Sequence, residues 1–385
     1  MQCIRRPFAA AALAAALLGA TGASAAADAP PSGIAVQTDH RSPAAIASHW
    51  TPERLRAARP VRVPTVTGAT RARTQRQSPE GAPAKTEGSR SRVGGRGAAG
   101  RTGRPGKSPF AKSSYFGLEL PWNNTSYGTA SPINAVGRVY YSAYSRSQNI
   151  WYDSYCSGTL VAPNIVLTAA HCIREGRPDG MQNRTFTFAP AVNGTSRPYG
   201  TFTSRNQATW TSWYSAPYYN SAGTDSGGGY YGQDYGFVVL DRDALGRHAG
   251  DANMAGFYGL LANAPKSDVY HLGYPTEGNW NGCTQSSCRP WHCAAPLQRY
   301  SQYATGGKWD IGFSCYTTGG ASGGPIFQAY NGRWYVTAAL SHMGKVYCQN
   351  GANPCLAGSY RYGTTFFGSY LDNDALSLLN FAKTL

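Results

Sequence analysis

Two stretches, TAAHC at residues 168–172 and GGASGGP at residues 319–325, carry more information about the architecture of this chain than any others. The first places His171 at the end of an apolar run, and the second places Ser322 among glycines. A serine hydroxyl becomes an effective nucleophile when a neighbouring imidazole accepts its proton. The two stretches together therefore predict acyl transfer, most simply the hydrolysis of peptide bonds.

The glycines around Ser322 have a physical role in that chemistry. Glycine tolerates tight turns and lets a substrate carbonyl approach the backbone closely. Such a turn can direct the backbone N–H groups of Gly320 and Ser322 at one point, where they would stabilise an oxyanion. The alternative interpretation is a glycine-rich turn that only joins two strands.

The residues before His171 predict a β-hairpin. Two apolar runs flank Pro163 and Asn164, which are typical turn residues, and His171 follows the second run. Cys156 and Cys172 then lie across the hairpin, where we expect a disulfide bond. The alternative is a structural histidine beside that disulfide.

A third residue is needed to orient the imidazole. Asp234 immediately precedes the apolar run YGFVVL at residues 235–240, which predicts a buried strand with the carboxylate at its mouth. Asp225, in a Ser/Gly-rich loop, and Asp241, at the far end of the run, are the competing candidates. We predict that Asp234 holds the neutral tautomer of the histidine.

These motifs together resemble those of the chymotrypsin-like serine proteases, over about residues 133–385. The order His171, Asp234, Ser322 matches that family. The resemblance implies an all-β fold of two six-stranded antiparallel β-barrels, with the active site between them and a short C-terminal helix. An α/β-hydrolase also uses the pattern G-x-S-x-G, but it needs an acid and then a histidine after the serine. Here only His342 follows, with no acid between the two.

Within the family, the run CYTTGGAS at residues 315–322 looks like that of the bacterial glutamyl endopeptidases. The resemblance implies a preference for Glu before the scissile bond, with Thr317 in the position of a substrate-binding threonine. His342 is the candidate for the substrate-binding histidine, and Ser341 could fill that position instead. No acidic residue lies between Ile311 and Ser322, which disfavours a pocket for Arg or Lys.

The N-terminal third differs in composition from the rest. Residues 1–25 have a basic start, an apolar stretch and an A-x-A site, which predict a signal peptide and a secreted protein, extracellular or periplasmic. Residues 26–112 are rich in Arg, Pro and Gly, so we expect a mostly disordered propeptide, with one candidate helical stretch near residues 46–58, followed by a protease domain at 113–385. Residues 1–112 hold 18 of the 35 basic and 5 of the 19 acidic residues.

The N-terminal arm and the active-site cleft each admit another interpretation. A retained basic arm could bind a polyanion, and a catalytically inactive relative could bind a partner through the cleft. We expect instead an active, monomeric endopeptidase that acts on proteins or peptides, binds neither nucleic acid nor membrane and needs no metal or cofactor.

An exported chain with an even number of cysteines is expected to form disulfides. Cys3 leaves with the signal peptide, so eight of the nine cysteines remain. Besides the pair across the hairpin, we predict three bonds, namely Cys348–Cys355, Cys283–Cys288 and Cys293–Cys315. The alternative is a zinc site that includes His292, but its spacing is loose for zinc.

Overall fold

The structure is a computed structural model, and it describes residues 31–66, 73–75, 78–79, 81–89, 120–121, 132–176, 180–215, 224–225, 231–275, 290–302, 308–313, 315, 317–343, 347–348, 361–362 and 366–385. The elements before residue 132 are β1 (Ile34–Thr38), α1 (Pro43–His49), α2 (Pro52–Ala57), β2 (Arg59–Pro60), β3 (Thr65–Val66), β4 (Arg73–Gln75), β5 (Ala84–Lys85) and β6 (Leu120–Pro121). The predicted signal peptide and the cysteines at 283, 288 and 355 lie outside the described residues.

The first barrel is built from residues 136–240. The strands and the α-helix in this range are β7 (Val136–Ser145), β8 (Ile150–Ala162), β9 (Ile165–Thr168), β10 (Arg184–Pro190), β11 (Phe202–Trp210), α3 (Ser212–Ser215), β12 (Thr224–Asp225) and β13 (Gly236–Leu240). Strands β7, β8, β9, β13, β11 and β10 pair antiparallel in that order, and β10 returns to β7. The six strands therefore close on themselves, which leaves no free edge within the barrel.

The second barrel is built from residues 268–370. The strands and the α-helix from residue 259 to residue 382 are β14 (Gly259–Ala262), β15 (Asp268–Gly273), β16 (Trp291–Gln302), β17 (Asp310–Phe313), β18 (Pro325–Tyr330), β19 (Arg333–Met343), β20 (Tyr347–Cys348), β21 (Arg361–Tyr362), β22 (Phe366–Tyr370) and α4 (Asn373–Ala382). Strands β15, β16, β17, β22, β19 and β18 pair antiparallel in that order, and β18 returns to β15. The predicted pair of six-stranded antiparallel barrels is confirmed.

Local sequence explains the turn between β18 and β19 and the start of the last helix. Asn331 and Gly332 join the two strands, both with positive φ, as a two-residue hairpin turn requires. In α4, the Asp372 side chain caps the first turn by accepting a hydrogen bond from the backbone N–H of Asp374. Leu378 and Leu379 of α4 are buried in the main hydrophobic cluster, so the predicted C-terminal helix is confirmed.

The N-terminal arm is the main departure from prediction, because residues 31–66 are ordered against the barrels rather than disordered. Strand β1 pairs antiparallel with β11 over five residues. The main hydrophobic cluster includes Ile46 of α1, Trp50 directly after α1, and Leu55 of α2. The expectation of disorder rested on the average composition of residues 26–112. The candidate helical stretch near residues 46–58 overlaps α1 and α2, whose apolar side chains meet a complementary surface on the first barrel.

Among the described residues, no helix is long and apolar enough to cross a lipid bilayer.

Candidate active site

His171 lies on a single 3-10 turn, Ala170–Cys172, which follows β9. A disulfide bond joins Cys172 to Cys156 on β8, as predicted, and so holds this turn against the neighbouring strand. His171 is only 8% exposed. The second described disulfide joins Cys293 and Cys315 and also confirms a predicted pair.

The carboxylate of Asp234 binds His171 at two points. The His171 backbone N–H donates to Oδ1 at 2.8 Å, and Nδ1 lies 2.7 Å from Oδ2. Because the carboxylate oxygen accepts, Nδ1 carries the proton and Nε2 is left as the acceptor. A competing candidate, Asp241, instead accepts hydrogen bonds from Thr203 and Arg205. Asp234 is thus the acid that the fold brings to the histidine.

Ser322 lies on the turn that precedes β18, and backbone hydrogen bonds attach this turn to both barrels. The Ser157 N–H donates to the Ser322 carbonyl at 2.8 Å, and the Gly323 N–H donates to the Leu340 carbonyl at 2.7 Å. The Cys172 sulfur lies 4.0 Å from the same Ser322 carbonyl oxygen. The serine turn and the histidine turn are therefore direct neighbours, although they are far apart in sequence.

Glycine is required where these two turns meet. Gly323 has a φ of +77°, and a Cβ atom built there would lie 2.2 Å from Thr168 Oγ1 and 2.6 Å from the Ala169 nitrogen. No side chain fits at that distance. The glycine that the motif places after Ser322 thus sets how closely the serine approaches the histidine turn.

The two atoms predicted to react, Ser322 Oγ and His171 Nε2, are buried. Among the described residues, neither Ser322 Oγ nor His171 Nε2 has a hydrogen-bond partner. Hydrogen bonds between catalytic groups are often long in unliganded sites and shorten when substrate binds. The arrangement therefore has a hydroxyl and an imidazole acceptor available for reaction.

Ser157 is a site residue that sequence reasoning missed. Its hydroxyl donates to the Gly320 carbonyl at 2.8 Å and accepts from the Tyr274 N–H at 2.8 Å. It thereby helps to fix the peptide units of the serine turn, which include the predicted oxyanion donors. The Gly320 N–H itself donates to the carbonyl of Val61, a residue of the N-terminal arm, at 2.8 Å. The only signal for Ser157 in the sequence was its position directly after Cys156.

The three predicted substrate-binding residues have different surroundings. Thr317 is 1% exposed, and its Oγ1 has no hydrogen-bond partner among the described residues. Ser341 Oγ donates to Asp234 Oδ2 at 2.7 Å, so this hydroxyl is already engaged. His342 is fully buried and stacks on Tyr231 and Phe367, with ring centroids 4.1 and 4.7 Å away.

Two buried ionisable groups near the site are shifted towards their neutral forms. Burial, together with the nearby His171, holds the pKa of His342 well below its ordinary value. Asp310, at the start of β17, is fully buried, and neither carboxyl oxygen has a hydrogen-bond partner among the described residues. Burial, and then the nearby Asp234, raise the pKa of Asp310 well above its ordinary value.

One cluster of potential metal ligands occurs in the described part of the chain. It consists of Cys156, His171 and Cys172, and both sulfurs are consumed by the disulfide bond. A disulfide sulfur is not the thiolate that binds metals. His171 is the remaining donor, and it already binds Asp234.

Comparison with known proteins identifies the family of this chain. The trypsin family profile matches residues 130–360. The glutamyl endopeptidase of Bacillus licheniformis is 27% identical over 275 residues, which cover 70% of this chain and 70% of that protein. The crystal structure of the protease Anisep from Arthrobacter nicotinovorans is similar, with a TM-score of 0.46, 23% identity, and coverage of 65% of this chain and 96% of that one. A Glu endopeptidase structure in complex with MPD gives a TM-score of 0.44 and 16% identity, and covers 69% and 97%.

Proposed function

We propose, from the premise that this chain belongs to the trypsin family and is a serine endopeptidase, that His171, Asp234 and Ser322 are its catalytic triad. The observation that carries this proposal is the pair of hydrogen bonds from His171 to Asp234, together with a buried Ser322 hydroxyl that has no hydrogen-bond partner in the described part of the chain. The two hydrogen bonds fix both the position and the tautomer of the imidazole.

In this proposal the Ser322 hydroxyl attacks the scissile carbonyl while His171 Nε2 takes its proton. The backbone N–H groups of Gly320 and Ser322 stabilise the oxyanion. The protonated imidazole then donates to the leaving amine, and the acyl group remains on Ser322. Water hydrolyses the acyl-enzyme by the same route in reverse, with His171 again as the base. Asp234 stabilises the imidazolium in both halves.

The test is cleavage of a mixed peptide library by the chain after its arm has been removed by proteolysis, read by mass spectrometry. Ser322→Ala should lower turnover by about a million-fold. The control is Ser377→Ala, which removes an exposed hydroxyl on α4 that bonds only to the Asn373 carbonyl. A Ser322→Ala protein that still cuts at the wild-type rate would exclude the triad.

We propose further that substrates carry Glu before the scissile bond. The Thr317 hydroxyl is buried, has no partner within the described ranges and is a donor suited to a carboxylate, and a relative bears the name glutamyl endopeptidase. Peptides that differ only in Glu, Gln or Leu at that position should be cut in the order Glu, Gln, Leu. Thr317→Val should reduce the ratio of Glu to Gln cleavage, whereas Thr317→Ser should retain it. Equal cleavage of all three peptides would contradict the preference.

His342 stays a candidate in this proposal, but in a restricted role. Its ring is buried and neutral, so it offers a hydrogen bond rather than a positive charge to a carboxylate. If it binds the substrate, His342→Phe should lower the same Glu to Gln ratio. If its role is to fill space between Tyr231 and Phe367, the ratio should not change.

We also propose that the protein is secreted as a precursor, with a signal peptide at 1–25, a propeptide at 26–112 and a protease domain at 113–385. The two disulfide bonds suit an oxidising compartment. Arg41, Arg54 and Arg56 of the arm are paired with Asp39, Asp153 and Glu53, which favours a docked propeptide over a polyanion-binding tail. N-terminal sequencing of secreted protein should give a start between residues 90 and 113. A secreted protein that retains the arm and binds heparin in a salt-sensitive way would favour the tail.

A further inference from the structure

The N-terminal arm crosses the face of the active site between the two barrels. Strand β2 pairs in parallel with β8 of the first barrel, and β3 pairs in parallel with β19 of the second. Between these strands, the Val61 N–H donates to the Tyr155 carbonyl at 3.0 Å, and the Met343 N–H donates to the Pro64 carbonyl at 2.9 Å. We call residues 59–66 the strap, because they join one barrel to the other over the cleft.

The strap uses a group that catalysis needs. The Val61 carbonyl accepts the Gly320 N–H at 2.8 Å, and this N–H is one of the two proposed oxyanion donors. The same carbonyl oxygen would lie 2.6 Å from a Cβ atom built on Gly319, so the strap lies directly on the serine turn. A substrate carbonyl cannot occupy that donor while Val61 does. Met343, which binds Pro64, follows Ser341 and His342 on the strand beside the triad carboxylate.

The strap is anchored by structure upstream of it. Trp50 Nε1 donates to the Thr185 carbonyl at 2.7 Å, and α1 and α2 bury apolar side chains in the main cluster. Arg54 forms two hydrogen bonds to the carboxylate of Asp153 on β8, at 2.7 and 3.0 Å, and His49 Nε2 lies 3.1 Å from the same carboxylate. A bidentate arginine on a half-buried carboxylate fixes geometry as well as energy. These contacts and the antiparallel pairing of β1 with β11 are all non-covalent, and together they hold the strap in place.

We propose that residues 59–66 are an inhibitor of this protein's own active site, and that the arm stays bound after the chain is cut downstream of it. The inference rests on the proposed function, because it assigns Gly320 to the oxyanion hole. The residue whose carbonyl meets Gly320 is Val61, not the Glu that the proposed pocket prefers, so the strap is a poor substrate. Activation therefore takes two events, a cut within the Arg-rich residues 90–112 and then destruction or release of the arm.

The experiment compares the uncut full-length chain with variants of the strap. Val63 is buried, whereas its neighbour Arg62 is exposed, so Val63→Asn should loosen the strap and Arg62→Asn should not. We expect Val63→Asn to raise hydrolysis of a Glu-containing peptide by about 10- to 100-fold over the uncut wild type, since a buried valine contributes at about that level. Arg62→Asn should match the wild type. A second pair, Arg54→Ala and Arg56→Ala, tests the anchor in the same way, because among the described residues Arg56 bonds to Glu53 alone.

Three outcomes overturn the proposal. The first is hydrolysis of the peptide by uncut wild type as fast as by protein whose arm has been digested. The second is hydrolysis by all four variants at the wild-type rate. The third is a new N-terminus at Arg62, found by mass spectrometry, that accompanies activity. The last result would make the strap a processing site instead of an inhibitor. Failure of the proposed function looks different, because arm-digested protein would then neither hydrolyse the peptide nor react at Ser322 with a fluorophosphonate.

Discussion

Ser341 Oγ donates a hydrogen bond to Oδ2 of Asp234 at 2.7 Å, and the same oxygen accepts from Nδ1 of His171. The carboxylate therefore has donors from both barrels, His171 from the loop after β9 and Ser341 from β19. The relative position of the two barrels thus contributes directly to the position of the imidazole. We therefore propose that Ser341 is a positioning residue for the proposed triad.

Loss of the Ser341 hydroxyl should reduce the turnover of every substrate. Ser341→Ala removes a hydrogen bond to an ionised carboxylate, a contact of the strong class. We expect kcat of arm-digested protein to fall about 10- to 100-fold with KM little changed. Steady-state kinetics with Glu and Leu peptides provide the measurement. An effect confined to KM, or to one of the two peptides, would indicate a substrate-binding role instead.

Gly323 and Gly332 form a matched pair for testing the contact between the serine and histidine turns. Both have positive φ, +77° and +73°, but a Cβ atom on Gly332 meets nothing within 4 Å. Gly332→Ala should cost about 1–2 kcal/mol of unfolding free energy from backbone strain alone and keep activity. Gly323→Ala should cost more and abolish peptide hydrolysis, because its Cβ would lie 2.2 Å from Thr168 Oγ1. Denaturant unfolding and peptide assays measure the two effects, and equal losses would contradict the contact argument.

The buried carboxyl of Asp310 should make stability depend on pH. Its pKa is raised in the folded protein by burial and then by Asp234. The folded state therefore holds the proton after the unfolded state has lost it, and stability falls as pH rises above the unfolded value. The slope is about 1.4 kcal/mol per pH unit until the folded pKa is reached.

Asp310→Asn removes this dependence, because an amide does not ionise in that range. In urea unfolding, the free energy of unfolding of the variant should increase relative to that of the wild type as pH rises from about 4 towards 7. The lower limit is the ordinary pKa of Asp. Parallel curves for the two proteins would mean that Asp310 has a partner that keeps it ionised.

Retention of a cut arm should weaken in acid. Burial raises the pKa of Asp153, but hydrogen bonds from Arg54 and His49 outweigh burial and hold the pKa below its ordinary value. Ser142 Oγ also donates to this carboxylate. The contribution to arm binding is present above the pKa of the free carboxyl and is lost as pH falls through the lowered pKa. Size-exclusion chromatography of protein cut within residues 90–112 should show the arm bound at pH 7 and released in acid.

Arg54→Ala should produce release without acid, which separates the effect on Asp153 from general acid unfolding. Arg56→Ala is the matched control, since Arg56 lies on the same helix and its described side-chain bond is to Glu53, within the arm itself. Intrinsic fluorescence at each pH reports whether the barrels remain folded. Equal retention of the arm by both variants at pH 7 would exclude Asp153 as an anchor.

The residues that could be identified from sequence are those whose neighbours in the chain constrain them. The glycines around Ser322, the strand before His171 and the apolar run after Asp234 are local patterns, and each predicted the element that the structure contains. The C-terminal helix and the Cys156–Cys172 bond were likewise predictable from spacing. Ser157 was not, because a single serine after a cysteine carries no pattern.

The sequence by itself was enough to predict the nucleophile, the base and the acid, because each lies in a motif of a few neighbouring residues, and the family resemblance that these motifs carry implied the two-barrel architecture. Tertiary structure alone decided that Ser341 donates to Asp234, that Asp310 is buried without a hydrogen-bond partner among the described residues, and that Val61 occupies the Gly320 N–H. These three facts depend on residues more than 70 positions apart meeting in space. Average composition predicted disorder for the arm, since a few apolar side chains cannot order a segment until a complementary surface is present to bury them.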